Sequence, residues 1–256
     1  MISKNQLKFV NALKLHKFRE AEGLFIAEGI KLVDELLQSN FQIKQIFATR
    51  QWLDDGHLHA QRNQIQAQEI TDAELERISL LNSPNQVLAV AVKPEYLPLP
   101  DVRKEWVLLL DQIKDPGNLG TIIRTADWFG FHRIIASPNS VEVWNPKVVQ
   151  ASMGSVFRLP VHYHDLTELL KEYNGKVPVY GTLLEGVAPA SVAISKYGMV
   201  VVGNESHGIS EAILPFITTK ISIPAAAVSS QGRAESLNAS IATAIICYEI
   251  RRQHPV

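Results

Sequence analysis

Five consecutive apolar residues, Trp106-Val107-Leu108-Leu109-Leu110, run straight into Asp111 and then into Asp115-Pro116-Gly117-Asn118. No polar position interrupts the run, so both faces of the segment need covering. That pattern belongs to a strand buried within a parallel sheet. Pro-Gly-Asn then breaks the strand and turns the chain. The period changes at once: Leu119, Ile122, Ile123, Ala126 and Gly130 fall at i, i+3, i+4, i+7 and i+11, the core-facing stripe of a helix over Leu119–Phe129. Asn118 is placed to cap that helix. At 100° per residue, Arg124 lies about 140° from Leu119. It is off the stripe and free to point into a cleft. Strand, tight turn and helix in this order make an α/β unit.

The same grammar continues to the end of the chain. Strands are expected at Arg133–Ala136, Val177–Tyr180, Gly198–Val202 and Lys220–Ile223, and helices at Asp165–Tyr173 and Ser236–Arg252. The last helix is apolar almost all round from Ile241 to Cys247, which predicts deep burial. Upstream, a helix over Gln6–Leu15, a strand over Leu24–Ala27, a helix over Ile30–Leu37, and strands over Ile43–Ala48 and Gln86–Val92 suggest a smaller α/β or α+β domain. Between the two regions, the stretch from Lys93 to Asp101 holds three prolines and favours an extended linker. The expected organisation is an N-terminal domain over residues 1–93, a linker over 94–104 and a C-terminal domain over 105–256.

Composition narrows the function. With 46% hydrophobic residues, 20% charged residues and a net charge of -1, the chain does not coat nucleic acid by bulk charge. Any RNA contact needs a local basic patch. One stands out: Lys4, Lys8, Lys14, Lys17 and Arg19 lie among the first nineteen residues, which contain no acid. No apolar run approaches the roughly 18 residues of a membrane span. The N-terminus lacks a signal-peptide apolar core, and the single cysteine, Cys247, fits a reducing compartment. A cytoplasmic protein is expected. His57 with His59, and His162 with His164, have spacing that could serve a metal on a strand. No cysteine or acidic partners complete such a site, so they read as surface histidines and no metal is expected.

Two further loops match the first. Val200-Val201-Val202-Gly203-Asn204-Glu205-Ser206-His207-Gly208 is again a strand followed by a glycine-rich turn. Glu205 falls at a strand's carboxyl end, where α/β ligand sites form. Ile221-Ser222-Ile223-Pro224 ends another strand, and Ser236-Leu237-Asn238 opens the last helix, where Ser236 or Asn238 can cap it. Taken singly, each loop is equally well a plain turn or cap. The first lacks the Gly-Lys-Ser/Thr of a nucleoside-triphosphate loop and the Gly-x-Gly-x-x-Gly of a dinucleotide fold.

Together and in this order, Asn118-x5-Arg124, Gly203-Asn204-Glu205-x-x-Gly208, and Ile223-Pro224 with Ser236-Leu237-Asn238 resemble the three motifs of the SpoU (TrmH-like) RNA 2′-O-methyltransferases. The resemblance covers most of Trp106 to Arg252. More loosely, Phe25-Ile26-Ala27-Glu28-Gly29 and Val87-Leu88-Ala89-Val90 resemble that family's substrate-binding domain. The resemblance implies an α/β fold: a C-terminal knotted parallel-sheet methyltransferase domain, with the C-terminal segment threaded through a loop, beside a smaller N-terminal α/β substrate-binding domain. It implies S-adenosyl-L-methionine as cofactor, with contacts at Thr182, Leu183, Gly203, Asn204, Ile223 and Leu237. It implies rRNA or tRNA as substrate, a homodimer, and functional weight on Asn118, Arg124, Glu205, Ser236 and Asn238. The loop 225–233 looks longer than the family's usual connection.

The implied reaction is in-line attack of a ribose 2′-oxygen on a sulfonium methyl, in which positioning and charge stabilisation dominate. Arginine stays protonated in proteins, so Arg124 is expected to act as a fixed cation rather than a base. Glu205 is expected to orient Arg124 or the second loop, and Ser236 and Asn238 the nucleotide or the third. Two other readings fit the same residues: a non-catalytic RNA-binding protein of this fold, and a knotted methyltransferase acting on a base.

Overall fold

A computed structural model describes residues 1–56, 67–95, 98–99, 101–225 and 235–255. Up to the proline-rich stretch the elements are α1 (Lys4–Ala12), α2 (His16–Glu22), β1 (Leu24–Glu28), α3 (Ile30–Gln38), β2 (Ile43–Ala48), α4 (Arg50–Asp54), β3 (Ala67–Glu69), α5 (Asp72–Ile78) and β4 (Val87–Val92). After it come β5 (Trp106–Leu110), α6 (Pro116–Trp128), β6 (Arg133–Ala136), α7 (Pro146–Ser152), β7 (Val161–Tyr163) and α8 (Leu166–Tyr173). The last four are β8 (Val179–Val187), β9 (Gly198–Val202), β10 (Thr219–Ile221) and α9 (Ala239–Gln253). The chain forms two compact units, Met1–Glu95 with Glu142–Arg158, and Tyr96–Val141 with Leu159–Val256.

The first unit is built on a four-stranded sheet of order β1-β4-β2-β3, antiparallel except for the β2–β3 pair. Val10, Leu13, Ile26, Phe47, Leu75, Ile78 and Leu88 form one core cluster. The segment 142–158, which lies in the C-terminal domain by sequence, packs in this unit. The reason is aromatic burial: Trp144 stacks on Phe25 of β1 with ring centroids 4.3 Å apart, and Phe41 and Phe157 close around them. The basic stretch divides. Lys4, Lys8 and Lys17 are exposed. Lys14 is half-buried and donates to the Ser79 carbonyl at 2.7 Å; burial lowers its pKa, against the opposing charge of Glu28. Arg19 is 2% exposed, forks onto both carboxylate oxygens of Glu142 at 3.1 and 2.6 Å, and bonds the carbonyls of Leu13 and Lys14. Arg19 is therefore a buried structural residue and does not belong to an RNA-facing patch.

The second unit is a six-stranded, wholly parallel sheet of order β10-β8-β9-β5-β6-β7, as the α/β reading expects. The run at 106–110 is a central strand, buried at every residue between β9 and β6. Differences from the expected boundaries have local causes. Helix α6 begins at Pro116 because Asp115, not Asn118, is the cap: its carboxylate accepts the Asn118 N–H at 2.7 Å, and proline suits the first helical position. Asn238 caps α9, accepting the N–H groups of Ser240 and Ile241. Strand β8 extends past Tyr180, because Gly181 pairs with Lys220 and the next pair is Val187 with Ile221. Residues 182–186 bulge out between them.

Helix α9 packs against α6 but is not buried all round. Thr243, Ile246, Cys247 and Ile250 face inward, while Ile241, Ile245 and Tyr248 are 50%, 38% and 57% exposed on the opposite side. Hydrophobicity alone could not tell these two faces apart. His162, expected at the surface, is buried in β7, and burial, then Arg133, lowers its pKa. His57, His59 and all but the first residue of the 225–233 loop lie outside the described residues. Among the described residues, no helix is long and apolar enough to cross a membrane.

Candidate active site at the carboxyl ends of the central strands

Strands β5, β6 and β9 are neighbours, so the loops that follow them meet at one end of the sheet. The loop after β9 is shaped by two glycines. A side chain at Gly203 would run into the backbone of Gly208 and Ile209, and Gly208 has φ +68. Asn204 and Gly208 exchange both backbone hydrogen bonds at 2.9 Å, which closes a narrow turn with Glu205 at its tip. Two residues after β5 hold this turn. The buried Asp111 carboxylate accepts the Ser210 N–H at 2.7 Å, and the Asn204 carboxamide donates to the Gln112 carbonyl at 2.8 Å. The Asn204 Oδ1 is occupied by the N–H groups of Ser206 and His207. Its side chain is thus spent inside the loop.

The motif residues form a relay. Asn118 is 7% exposed on the first turn of α6, and its Nδ2 donates to Glu205 Oε1 at 2.6 Å. Asn238 Nδ2 donates to Asn118 Oδ1 at 2.8 Å. Asn238 Oδ1 accepts from Ser240 Oγ at 2.6 Å as well as from the helix backbone. One amide, that of Asn118, therefore links the first motif to the second and the third. Beside it is an open depression of about 610 Å³ lined by Gln112, Lys114, Asp115, Glu205 and His207 among others.

Arg124 is exposed on the outer side of α6. It makes no hydrogen bond or ion pair to a described residue, and Glu205 does not orient it; Glu205 takes the Asn118 amide instead. Ser236 and Leu237 are exposed just ahead of α9. Thr182 donates to the Val201 carbonyl at 3.0 Å, and Ser222, next to Ile223, donates to the Leu184 carbonyl at 2.7 Å. The bulge of β8 and the ends of β9 and β10 are thereby tied together. Asp111 and Gln112 are the residues that sequence reasoning passed over. Asp111 ended an apolar run, and the conformation of Gln112 leaves no mark in composition.

The model of the SpoU rRNA Methylase family matches residues 105–248, which contain every element of this relay. The chain belongs to the SpoU rRNA Methylase family. A second match, to the MRM3-like substrate binding domain, spans residues 4–89 of this SpoU methylase. The chain is 34% identical over 253 residues to the 23S rRNA (guanosine(2553)-2′-O)-methyltransferase RlmP of Bacillus subtilis, covering 97% of each protein. Among solved structures it is similar to the AdoMet-bound rRNA methyltransferase of Sinorhizobium meliloti, at 29% identity and TM-score 0.84 over 100% of this chain and 98% of that one. It is also similar to AviRb of Streptomyces viridochromogenes, a SpoU methyltransferase in complex with AdoMet, at 26% identity and TM-score 0.82 over 98% of both.

Proposed function

We propose that the protein transfers a methyl group from S-adenosylmethionine to a ribose 2′-hydroxyl of ribosomal RNA, the 23S molecule first among candidates. The observation that carries this reading is the relay itself. Asn238, Asn118 and Glu205, from three motifs spread over 120 residues, join in one hydrogen-bonded chain beside one depression. The near-full-length likeness to a 23S rRNA 2′-O-methyltransferase supports the choice of RNA.

The ends of β8, β9 and β10 suit the cofactor. Leu183 and Ile223 are half-buried there, Leu184 is 76% exposed, and Gly203 lets the Gly208–Ile209 backbone close tightly against the end of β9. Apolar side chains at these strand ends offer an adenosine a packing surface. Thr182, Leu183, Gly203, Ile223 and Leu237 would hold it. Asn204 would shape the loop around it, since its side chain and both of its backbone groups are engaged within the protein. S-adenosylmethionine supplies an electrophilic methyl on a sulfonium sulfur. The chain's part is to hold the ribose hydroxyl in line with that methyl. Arg124, a permanent cation, grips the adjoining phosphate and stabilises negative charge on the 2′-oxygen. Glu205, steered by Asn118, and Ser236, beside Asn238, fix the nucleotide and its loop.

RNA is held on the N-terminal unit through the exposed Lys4, Lys8 and Lys17, with Lys14 contributing less because it is engaged. The protein works as a homodimer in the cytoplasm. Helices α6 and α9 both leave large apolar side chains uncovered, Trp128 at 84% on one and Ile241, Ile245 and Tyr248 on the other, which fits burial against a second copy.

Incubating the full chain with labelled S-adenosylmethionine and unmodified 23S, 16S or transfer RNA, followed by nucleoside analysis, tests the reading. A 2′-O-methylnucleoside in 23S RNA is expected. A methylated base, or no transfer to any of the three, overturns it.

A further inference from the structure

Gln112 has φ +57, in the left-handed region that favours glycine. Two other described non-glycine residues share that sign, but Met153 merely ends α7 and Gln86 enters β4. Gln112 is different in what holds it. Its N–H donates to Ser137 Oγ at 2.8 Å, and its carbonyl accepts the Asn204 amide at 2.8 Å. Ser137 follows β6 and Asn204 follows β9, so side chains placed by both neighbouring strands pin the two peptide groups that flank one residue. Gln112 is half-buried and is one of the residues lining the depression, with Asp115 and Glu205. Its carboxamide makes no hydrogen bond to a described residue.

A glycine would adopt this backbone without strain. Here a long polar side chain stands in an over-determined, strained position at the mouth of a site, a combination that marks functional residues. A free carboxamide offers an acceptor and two donors in one plane, the pattern that reads the edge of an unstacked RNA base. We propose that Gln112 contacts the base of the nucleotide whose ribose is methylated and sets the enzyme's preference for that base. The proposal rests on the methyl-transfer reading above.

The test uses the full-length protein, S-adenosylmethionine, and two RNA substrates that differ only in the base at the methylated position. The wild type favours one of them. Gln112→Gly keeps the backbone conformation and removes the side chain. It should lower kcat/KM on the favoured RNA by on the order of tenfold and leave the disfavoured one within about twofold, with unchanged melting temperature and cofactor affinity. Gln112→Asn, which tolerates the same φ, should fall between the two. Equal losses on both substrates overturn the proposal, as does undiminished discrimination. So does a Gly variant that loses its fold or its cofactor affinity together with an Asn variant that discriminates fully. A wild type that methylates no RNA overturns the underlying reading and this one with it; a wild type that methylates both RNAs equally overturns this one alone.

Discussion

Asn118 donates its side-chain amide to Glu205 at 2.6 Å across 87 residues of sequence. Because Asn238 donates to the other end of the same side chain, the orientation of the Asn118 amide is settled by its partners. An aspartate at this position would present an oxygen to Glu205 where a donor is needed. Asn118→Asp should therefore reduce kcat by roughly 100-fold, while Glu205→Gln, which retains an acceptor oxygen, should cost about tenfold. Labelled methyl transfer measures both; a normal rate for Asn118→Asp would remove the relay from catalysis.

Arg124 is exposed and spends none of its donors on described neighbours. A guanidinium grips phosphate with a fixed fork that lysine lacks. Arg124→Ala should lower kcat by about 100- to 1,000-fold without changing cofactor affinity. Arg124→Lys should recover only part of the loss. Cofactor titration alongside the rate assay checks the separation, and near-normal transfer by the alanine variant would sink the assignment.

Arg19 and its exposed neighbours should behave oppositely. Arg19→Lys breaks a buried two-pronged pair and two carbonyl contacts, so the melting transition should fall by the equivalent of about 2 kcal/mol or more. Lys8→Glu with Lys17→Glu should leave melting unchanged and weaken RNA binding, with a shallower salt dependence, by about 0.7 per lost single-strand phosphate contact. RNA binding and thermal melting on the same preparations tell the two roles apart.

The outer face of α9 carries Ile241, Ile245 and Tyr248 at helical spacing. If the proposed dimer forms through this face, Ile241→Asp with Ile245→Asp should convert it to a monomer in sedimentation while the buried side of the helix remains packed. A pair of aspartates that leaves the sedimentation coefficient unchanged would place the interface elsewhere.

Burial pushes the Cys247 thiol up to about 12, against a smaller opposing effect of Arg251. The thiolate is the reactive form, so alkylation of the native protein should be slow and should accelerate on unfolding. The folded pKa lies above the unfolded one. The stabilisation is therefore complete below about pH 8.5 and is lost as pH climbs toward the folded value. Rapid native labelling at neutral pH would contradict the burial.

Periodicity could find β5, the α6 stripe and the exposed Arg124, because each depends on near neighbours in sequence. It misassigned the cap of α6 because Asp115 and Asn118 are both good caps. Only the arrival of Glu205 and Asn238 shows that Asn118 has another use. It grouped Arg19 with the lysines because charge is visible in sequence and the arrival of Glu142 is not.

By itself the sequence determined the parallel α/β sheet, the order of the three loops and the residue types at the site, since these follow from local hydrophobic period and turn chemistry. Tertiary structure alone decided that Asn118 joins the three motifs, that segment 142–158 packs with the N-terminal unit, that one face of α9 stays uncovered, and that Gln112 is pinned at φ +57. Each of these depends on contacts between residues distant in sequence. Which partner fills a hydrogen bond or covers an apolar face is settled only when the strands bring those residues side by side.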